Sequence, residues 1–224
     1  MNVLVLAPHA DDEVLGCGGV ISRHAQAGDR VYVAVLTNAS VGAPELFSTA
    51  DIDVIRAEAR EAHARLGIAE SVFEDLPAPQ LDQFPTYQLA DRIAGLLTRF
   101  RPTTLYVPFR GDVHRDHGAV FNAAMVAARP QPSQVVQRVL AYETPSETEW
   151  AAAAADTQFS PNYFVSIEEH LQAKLDAFSC FRSQVKSFPH PRSLRALEAL
   201  ARWRGATVGV SAAEAFWLVR ALDR

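Results

Sequence analysis

The sequence predicts an α/β fold with a doubly wound, mainly parallel sheet that carries helices on both faces. Short apolar runs, interpreted as buried strands, alternate with longer segments whose apolar residues recur at helical spacing. This alternation is typical of βαβ units, whose strands pair in parallel. The length of 224 residues suits one large domain. Polar clusters follow two of the predicted strands, and ligands of such sheets bind at the carboxyl ends of the strands.

Residues 1–143 form the predicted core, which is Rossmann-like. Its strands are residues 2–6, 31–36, 72–76, 103–108 and 138–142. Its helices are residues 14–26, a segment from Asp51 or Asp53 to Leu66, residues 88–100 and residues 118–128. Asp51 or Asp53 is suited to cap its helix, and Gly28 and Gly67 are suited to end the first two helices.

Residues 144–224 are predicted to be an elaboration of the same single domain, because no linker-like boundary precedes them. A long connection at 144–161 comes first, and loops of that length are usually functional or mobile. The elements predicted beyond it are a strand at 163–167, a helix at 168–182, a helix at 193–204 that Ser193 caps and Gly205 ends, and a strand at 215–219.

Composition argues against several classes of protein. The formal net charge of −5 gives no electrostatic reason to expect nucleic acid or an acidic membrane surface as partner. No stretch approaches the roughly 20 apolar residues that span a bilayer, and the N-terminal run lacks the basic start of a signal peptide. Two cysteines suit a reducing compartment. We therefore expect a cytoplasmic protein without a membrane span.

Two polar clusters are predicted to face each other across one crevice. The first, residues 9–13 (HADDE), joins the first strand to the first helix, and the second, residues 111–117 (GDVHRDH), follows the fourth strand. His9 and Asp12 are three residues apart at a helix start, so their side chains can converge; His114 and His117 repeat this spacing. In a doubly wound sheet the first and fourth strands are neighbours where the strand order reverses.

These residue types predict a metal-dependent hydrolase. Two neutral imidazoles and a carboxylate, with water in an open fourth position, describe a catalytic Zn²⁺ site. The metal lowers the pKa of this water from 15.7 to roughly 7. Asp11, beside Asp12, is suited to take the proton of the water as general base. A histidine that is not a ligand can donate a proton to the leaving amine or stabilise the oxyanion.

Other interpretations explain less of the pattern. The acidic residues 11–13 can stabilise a helix N-terminus, but this role does not explain His9 or the second cluster. The glycines at 16, 18 and 19 do not have the spacing of a dinucleotide-binding motif, and the acidic turn before them would repel a pyrophosphate; we expect them to let the helix pack closely on the sheet. Cys17 is a candidate third metal ligand, although a small buried residue is the favoured interpretation.

With these residues in view, the sequence resembles the PIG-L/LmbE family of zinc-dependent N-deacetylases. The resemblance rests on residues 8–13 (PHADDE) and 114–117 (HRDH). It extends over nearly the whole chain, including residues 56–59 (RAEA), 66–67 (LG) and 213–216 (AEAF). The first motif of the family is usually His-Pro-Asp-Asp-Glu, and Ala10 replaces its proline here. Since proline only stiffens the turn, we expect the replacement to be tolerated.

The resemblance implies a role for each polar residue of the two clusters. The implied Zn²⁺ ligands are His9, Asp12 and His117. Asp11 would be the general base, and His114 the acid or electrostatic partner. Asp116 would hold the orientation and tautomer of His114. The implied substrate is a small molecule, an N-acetylglucosamine-type amino sugar or its glycoconjugate. Family members often form homo-oligomers, which extends to this chain as an expectation.

Three further places are candidate substrate contacts. Arg56 matches a family arginine near the acetyl or sugar group, with a solvated helix arginine as the alternative. Tyr142 and Glu143 end the fifth strand at the site edge of the sheet, where a buried tyrosine is the alternative. His190 and Arg192 precede a capped helix whose donors suit a phosphate or carboxylate, with a loop that only turns the chain as the alternative. If these two residues bind an anion, the substrate is an anionic or glycosidically linked amino sugar.

The leading hypothesis is therefore a zinc-dependent hydrolase that acts on carbon–nitrogen bonds of non-peptide amides. The first alternative is an amidase that removes a larger acyl group or cleaves a sugar–thiol conjugate with the same zinc site. A metal-binding protein without turnover is the second alternative. A dinucleotide-dependent oxidoreductase is the least supported, because of the glycine spacing.

Overall fold

Seven strands form one sheet in the computed structural model, which describes residues 1–131, 135–152, 154–155 and 157–223. The strands are β1 (Asn2–Ala7), β2 (Arg30–Asn38), β3 (Glu70–Pro77), β4 (Thr104–Pro108), β5 (Arg138–Tyr142), β6 (Tyr163–Ser166) and β7 (Ala213–Ala221). Their order across the sheet is β3-β2-β1-β4-β5-β7-β6. Strands β1 to β5 pair in parallel, whereas β7 runs antiparallel to both of its neighbours. The predicted α/β fold and the pairing of the first and fourth strands are confirmed.

Helices cover both faces of this sheet. They are α1 (Asp12–Gln26), α2 (Ala39–Gly42), α3 (Thr49–Leu66), α4 (Thr86–Phe100), α5 (Arg115–Ala127), α6 (Leu171–Phe178) and α7 (Leu194–Ala206). Alternate residues of β1 enter two separate cores: Val3 and Val5 pack with α1, α3, α6 and α7, whereas Leu4 and Leu6 pack with α4 and α5. This division follows from the two-residue period of a strand.

Several element boundaries differ from the predictions. Helix α3 begins earlier than expected, because Ser48 and Asp51 form a reciprocal capping box; Asp51 is therefore the third residue of the helix and not its cap. Helix α5 begins at Arg115 and not at Gly118, which places His117 in its first turn. The helix predicted at 168–182 is limited to α6, and α7 continues through Gly205. Residues 153 and 156 of the predicted connection lie outside the described residues.

The glycines of α1 allow unusually close packing, as expected. A Cβ atom on Gly16 would lie 2.3 Å from Cδ2 of Tyr142, and one on Gly19 would lie 2.7 Å from Cδ1 of Ile167. Real Cβ atoms do not approach other heavy atoms so closely. Gly16 therefore lets α1 pack closely on Tyr142 of the sheet, and Gly19 lets it pack on Ile167 in the C-terminal part of the chain.

A buried ion pair between Lys174 of α6 and Glu214 of β7 contacts the backbone of α1. Lys174 Nζ donates to Glu214 Oε1 at 2.6 Å and to the Leu15 carbonyl at 2.7 Å. The Glu214 carboxylate accepts hydrogen bonds from the backbone N–H groups of Gly19 and Val20 at 2.9 and 2.7 Å. In a regular helix the Gly19 N–H donates to the Leu15 carbonyl. The ion pair therefore contacts the donor and the acceptor of one such backbone pair, in the middle of α1.

Within the described part of the chain, none of the helices has the length and apolar character needed to cross a membrane.

Gly16→Ala is expected to lower the free energy of unfolding by about 1–3 kcal/mol, because overpacking a core costs this much. Gly95→Ala is the matched control: Gly95 is exposed on α4, and a Cβ there meets nothing within 4 Å. This control is expected to raise stability by roughly 0.5–1 kcal/mol. Urea unfolding of both variants measures the difference, and an unchanged stability of Gly16→Ala would contradict the packing argument.

Candidate active site

The turn between β1 and α1 positions the side chains of His9, Asp11 and Asp12. Asp11, at its centre, has a φ of 120°, a conformation that L-residues rarely adopt. Such a residue costs about 1–3 kcal/mol and persists only where its surroundings hold it. Here the Asp11 N–H donates to Glu13 Oε2 at 3.1 Å, and Glu13 Oε1 lies 2.8 Å from Nε2 of His63 on α3. Glu13 therefore stabilises the turn, and its side chain does not line the crevice between the two polar clusters.

His9, Asp12 and His117 converge on one point between β1, α1 and α5. Asp12 Oδ2 lies 3.2 Å from His9 Nδ1 and 3.3 Å from His117 Nε2. Asp12 and His117 are fully buried, whereas the His9 side chain keeps 27% of its exposure. One ligand atom from each residue lies within 4.8 Å of the others, so these three side chains can share a metal ion.

Two orphaned atoms support a metal at this point. Within the described part of the chain, Asp12 Oδ1 and His117 Nε2 are among three buried side-chain atoms that have no hydrogen-bond partner. Buried polar atoms are nearly always paired. Ligands about 2.0–2.1 Å from a tetrahedral Zn²⁺ are about 3.3 Å apart, close to the two separations from Asp12 Oδ2. The residues present therefore fit a zinc ion.

A buried carboxylate orients each of the two histidines. Asp116 Oδ2 lies 3.1 Å from His9 Nε2, and Asp112 Oδ2 lies 2.8 Å from His117 Nδ1. In the neutral form of each ring the carboxylate accepts the ring proton, so His9 Nδ1 and His117 Nε2 then keep their lone pairs for a metal.

This arrangement gives Asp116 a second role and adds Asp112. The Asp116 N–H donates to His114 Nδ1 at 3.2 Å, as expected of a residue that orients His114, whereas the Asp116 carboxylate lies 4.0 Å from His114 Nδ1 and contacts His9 more closely. Sequence reasoning gave Asp112 no role, although it belongs to the second cluster and precedes His117 by five residues. An acid near a candidate histidine ligand was the available signal.

A second group of ligand atoms, from His9, His114 and Asp116, is also close enough to share a metal. Its atoms already have partners, however. Asp116 Oδ1 accepts the Leu81 N–H at 2.9 Å, and His114 Nδ1 accepts the Asp116 N–H at 3.2 Å. The first group is therefore the better metal centre.

The carboxylates around the centre favour positive charge. Burial lowers the pKa of His117, but Asp12 and Asp112 outweigh it and raise this pKa to about 10. Burial likewise lowers the pKa of His9, and Asp116 and Asp12 raise it to about 9. Burial raises the pKa of Asp12, but His117 and His9 hold it well below its usual value. A field that stabilises two imidazolium ions also stabilises a metal cation.

Asp11 points its carboxylate at an arginine from the C-terminal part. Arg192 Nη1 lies 3.0 Å from Asp11 Oδ2, and its Nε donates to Ser146 Oγ at 2.8 Å. Burial raises the pKa of Asp11, Arg192 opposes it, and the result is about 7. A carboxyl group with this pKa can both take and release a proton near neutral pH.

His114 caps α5 and remains partly accessible, with 29% of its side chain exposed. Burial and then the charge of His9 lower its pKa to about 4, which leaves the ring neutral. Because Nδ1 accepts the Asp116 N–H, the proton of the neutral ring is on Nε2. His114 therefore offers a hydrogen-bond donor.

These side chains line one end of a cavity of about 300 Å³, here called the cleft. Its polar end contains His9, Asp11, His114, Glu147 and Arg192. Its apolar wall contains Phe47, Ile52 and Ile55, from α3 and the loop before it. His9 of the candidate metal centre and the apolar wall thus line one cavity.

The remaining predicted substrate contacts are only partly placed in the cleft. Arg56 lines it, but its Nη2 is bonded to Asp75 Oδ1 and the Glu74 carbonyl, both at 2.7 Å. Arg192 also lines it. His190 does not line it; its Nδ1 accepts the Arg192 N–H, and its ring contacts Trp150.

The structure places Tyr142 and Glu143 outside the lining of the cleft, and the alternative of a buried tyrosine describes Tyr142. Tyr142 is fully buried, and its hydroxyl donates to the Leu6 carbonyl at 2.8 Å. Glu143 forms a two-bond ion pair with Arg204 at 2.8 and 2.6 Å, away from the cleft. Both side chains stabilise the fold. Cys17 is buried in the core and belongs to no metal-binding group among the described residues.

Comparison with known proteins identifies relatives. Residues 4–128 match the family PIG-L, described as GlcNAc-PI de-N-acetylase. An uncharacterized deacetylase of Escherichia coli K12 is 30% identical over 191 residues, which cover 81% of this chain and 91% of that protein. A diacetylchitobiose deacetylase of Thermococcus kodakarensis is 25% identical over 82% of this chain and 70% of that protein.

Solved structures share the fold. The conserved protein TT1542 of Thermus thermophilus superposes with a TM-score of 0.79 at 27% identity, covering 99% of this chain and 96% of that protein. A 4-carboxy-2-hydroxymuconate hydratase of Pseudomonas putida superposes with a TM-score of 0.76 at 22% identity, covering 100% and 98%. The fold alone therefore does not define one reaction.

Tyr142→Phe is expected to lower the free energy of unfolding by about 1 kcal/mol, because it removes one buried hydrogen bond. Tyr87→Phe is the control, since the Tyr87 side chain is exposed, and it is expected to leave stability unchanged. Denaturant unfolding of both variants measures the effect. Equal stabilities would show that the Tyr142 hydroxyl is not a structural group.

Proposed function

Because the chain belongs to the PIG-L family, we propose that it is a metal-dependent hydrolase that removes the acetyl group from an N-acetylated amino sugar. We propose that the sugar is of the N-acetylglucosamine type, free or in a glycoconjugate. The observation that carries the proposal is the convergence of His9, Asp12 and His117, with Asp11 and His114 lining the same cleft.

We propose Zn²⁺ as the metal and His9, Asp12 and His117 as its ligands. Two imidazoles and one carboxylate are a typical ligand set of catalytic zinc. When bound, the metal supplies a water of lowered pKa and polarises a carbonyl oxygen. Asp112 and Asp116, which contact the opposite ring nitrogens, would orient the two histidines that hold the ion.

Asp11 and His114 have separate roles in the hydrolysis of the amide. Asp11 accepts a proton from the attacking water on its carboxylate, which Arg192 holds at 3.0 Å. His114 donates a hydrogen bond from Nε2 to the carbonyl oxygen of the amide as negative charge develops there. When the carbon–nitrogen bond breaks, the proton held by Asp11 passes to the leaving nitrogen. The products are acetate and a free amine.

A cytoplasmic enzyme with a small-molecule substrate fits the remaining observations. Both cysteines are buried and unpaired, and the net charge of −5 does not favour nucleic acid. A homo-oligomer stays an expectation from the family.

The decisive experiment is incubation of the zinc-loaded protein with N-acetylglucosamine, its glycosides and nucleotide sugars, followed by measurement of amine and acetate. Stoichiometric release of both products from at least one substrate is expected. Release of neither product would contradict the proposal and favour a metal-binding protein or a hydratase-like reaction.

Asp11→Asn is expected to keep about one zinc ion per chain and to lose amine release by about 10²–10⁴-fold, the usual contribution of a general base. Asp12→Asn is expected to lose the zinc itself. Elemental analysis and an amine assay on the two variants measure both effects. Loss of zinc in Asp11→Asn, with zinc kept in Asp12→Asn, would reverse the assignment.

Asp112→Asn and Asp116→Asn are each expected to weaken zinc binding by about 10–100-fold, because each removes the partner that orients a ligand histidine. Asp91→Asn, at an exposed position on α4, is the control and is expected to bind zinc like the natural protein. Competition with a chelator measures the affinity. If Asp116→Asn bound zinc normally and lost only turnover, its role would lie with His114 and not with His9.

A further inference from the structure

The cleft has two chemically different parts. Its polar end holds Asp11 and His114 beside the metal centre. Its apolar wall consists of Phe47, which is 40% exposed, the half-buried Ile55 and Ile52, which is 8% exposed. Because both sets of residues line one cavity, a substrate whose amide lies beside Asp11 and His114 can place a neighbouring group against this wall.

Both arginines of the cleft already have carboxylate partners. Arg192 lies 3.0 Å from Asp11 and 3.6 Å from Glu147, and Arg56 lies 2.7 Å from Asp75. The Arg192 guanidinium cannot bind a phosphate or carboxylate of the substrate without losing its ion pair with the buried Asp11 carboxylate, and breaking a buried pair is costly. The Arg56 ion pair is formed by Nη2 with the exposed Asp75, so this argument applies to Arg192. The expectation that His190 and Arg192 bind an anionic substrate is therefore not favoured, since Arg192 is paired with Asp11 and His190 Nδ1 accepts the Arg192 N–H.

We propose that the cleft selects N-acylated substrates that carry an uncharged apolar substituent next to the amide. This inference rests on the proposed function and names its substrate class. The substituent is a short alkyl or aryl group, located either in the acyl chain or in the aglycone of the sugar. It packs on Phe47, Ile52 and Ile55, which removes apolar surface of both partners from water.

The volume limits the size of this group. A cavity of about 300 Å³ is at the lower end of the range of ligand pockets, which begins at roughly 300 Å³. The cleft thus suits one sugar-sized group with a few additional carbon atoms and not a long lipid chain. Each buried methylene group is expected to raise kcat/KM by about fourfold.

The test compares uncharged and charged substrates of the zinc-loaded protein. The substrates are N-acetylglucosamine, its phenyl glycoside, N-butanoylglucosamine and N-acetylglucosamine 1-phosphate. We expect the phenyl glycoside or the butanoyl amide to exceed N-acetylglucosamine in kcat/KM by about tenfold, and the 1-phosphate not to exceed it. A gain for the phenyl glycoside alone locates the substituent in the aglycone, and a gain for the butanoyl amide alone locates it in the acyl chain.

Two variants test whether the apolar wall causes the preference for an apolar substituent. Ile55→Ser is expected to reduce the ratio of kcat/KM between the favoured substrate and N-acetylglucosamine by about fourfold or more. Val54→Ser is the matched control, because Val54 is the adjacent residue of α3, is 53% exposed and does not line the cleft. This control is expected to leave the ratio unchanged.

The failure of this inference differs from the failure of the proposed function. If no substrate releases amine, the proposed function fails. If amine is released but the apolar substrates show no gain, or the 1-phosphate is the best substrate, the inference is overturned while the hydrolase remains. The substrate series on the natural protein gives this answer even if Ile55→Ser does not fold.

Discussion

The hydrogen bonds of Glu13 hold the turn on which the candidate metal centre depends. One carboxylate oxygen accepts the N–H of Asp11, and the other lies against His63 of α3. His63 is in turn 2.7 Å from Ser71 on β3. The unfavourable φ of Asp11 is thus stabilised by a chain of contacts that crosses from α1 to β3. In the absence of these contacts the turn would relax, and Asp11 and Asp12 would no longer point to separate partners.

Helix α3 links this support to the cleft. It carries His63 at one position and Ile52 and Ile55 of the apolar wall at others. The turn that carries Asp11 and the apolar wall of the cleft are therefore both positioned by one helix. On the opposite side, Arg192 joins the C-terminal part to Asp11. The polar residues of the site are thus held from both sides, and the buried charges are arranged in pairs, as a low-dielectric interior requires.

The fold and the convergence of His9, Asp12 and His117 follow from local patterns, whereas the partners of individual side chains do not. The alternation of elements and the position of the clusters after two strands were sufficient to bring His9 and His117 together. The insertion of β7 between β5 and β6 had no local signal, because antiparallel pairing of distant strands depends on the whole sheet. Arg192 and Asp11 are 181 residues apart, so no spacing rule connects them. The position of Tyr142 left both a substrate contact and a buried tyrosine open, because a residue at the end of a strand can enter the core as readily as the cleft.

The ion pair of Lys174 with Glu214 makes the order of synthesis relevant to the site. The N–H groups of Gly19 and Val20, just beyond the polar turn, bond to a residue about 195 positions later. On the ribosome, the first cluster emerges early, but α1 lacks this partner until the last strand has been made. Parallel sheets with distant contacts fold slowly for the same reason. In a nascent chain the polar residues that precede α1 are therefore made before the strand that completes the hydrogen bonds of this helix.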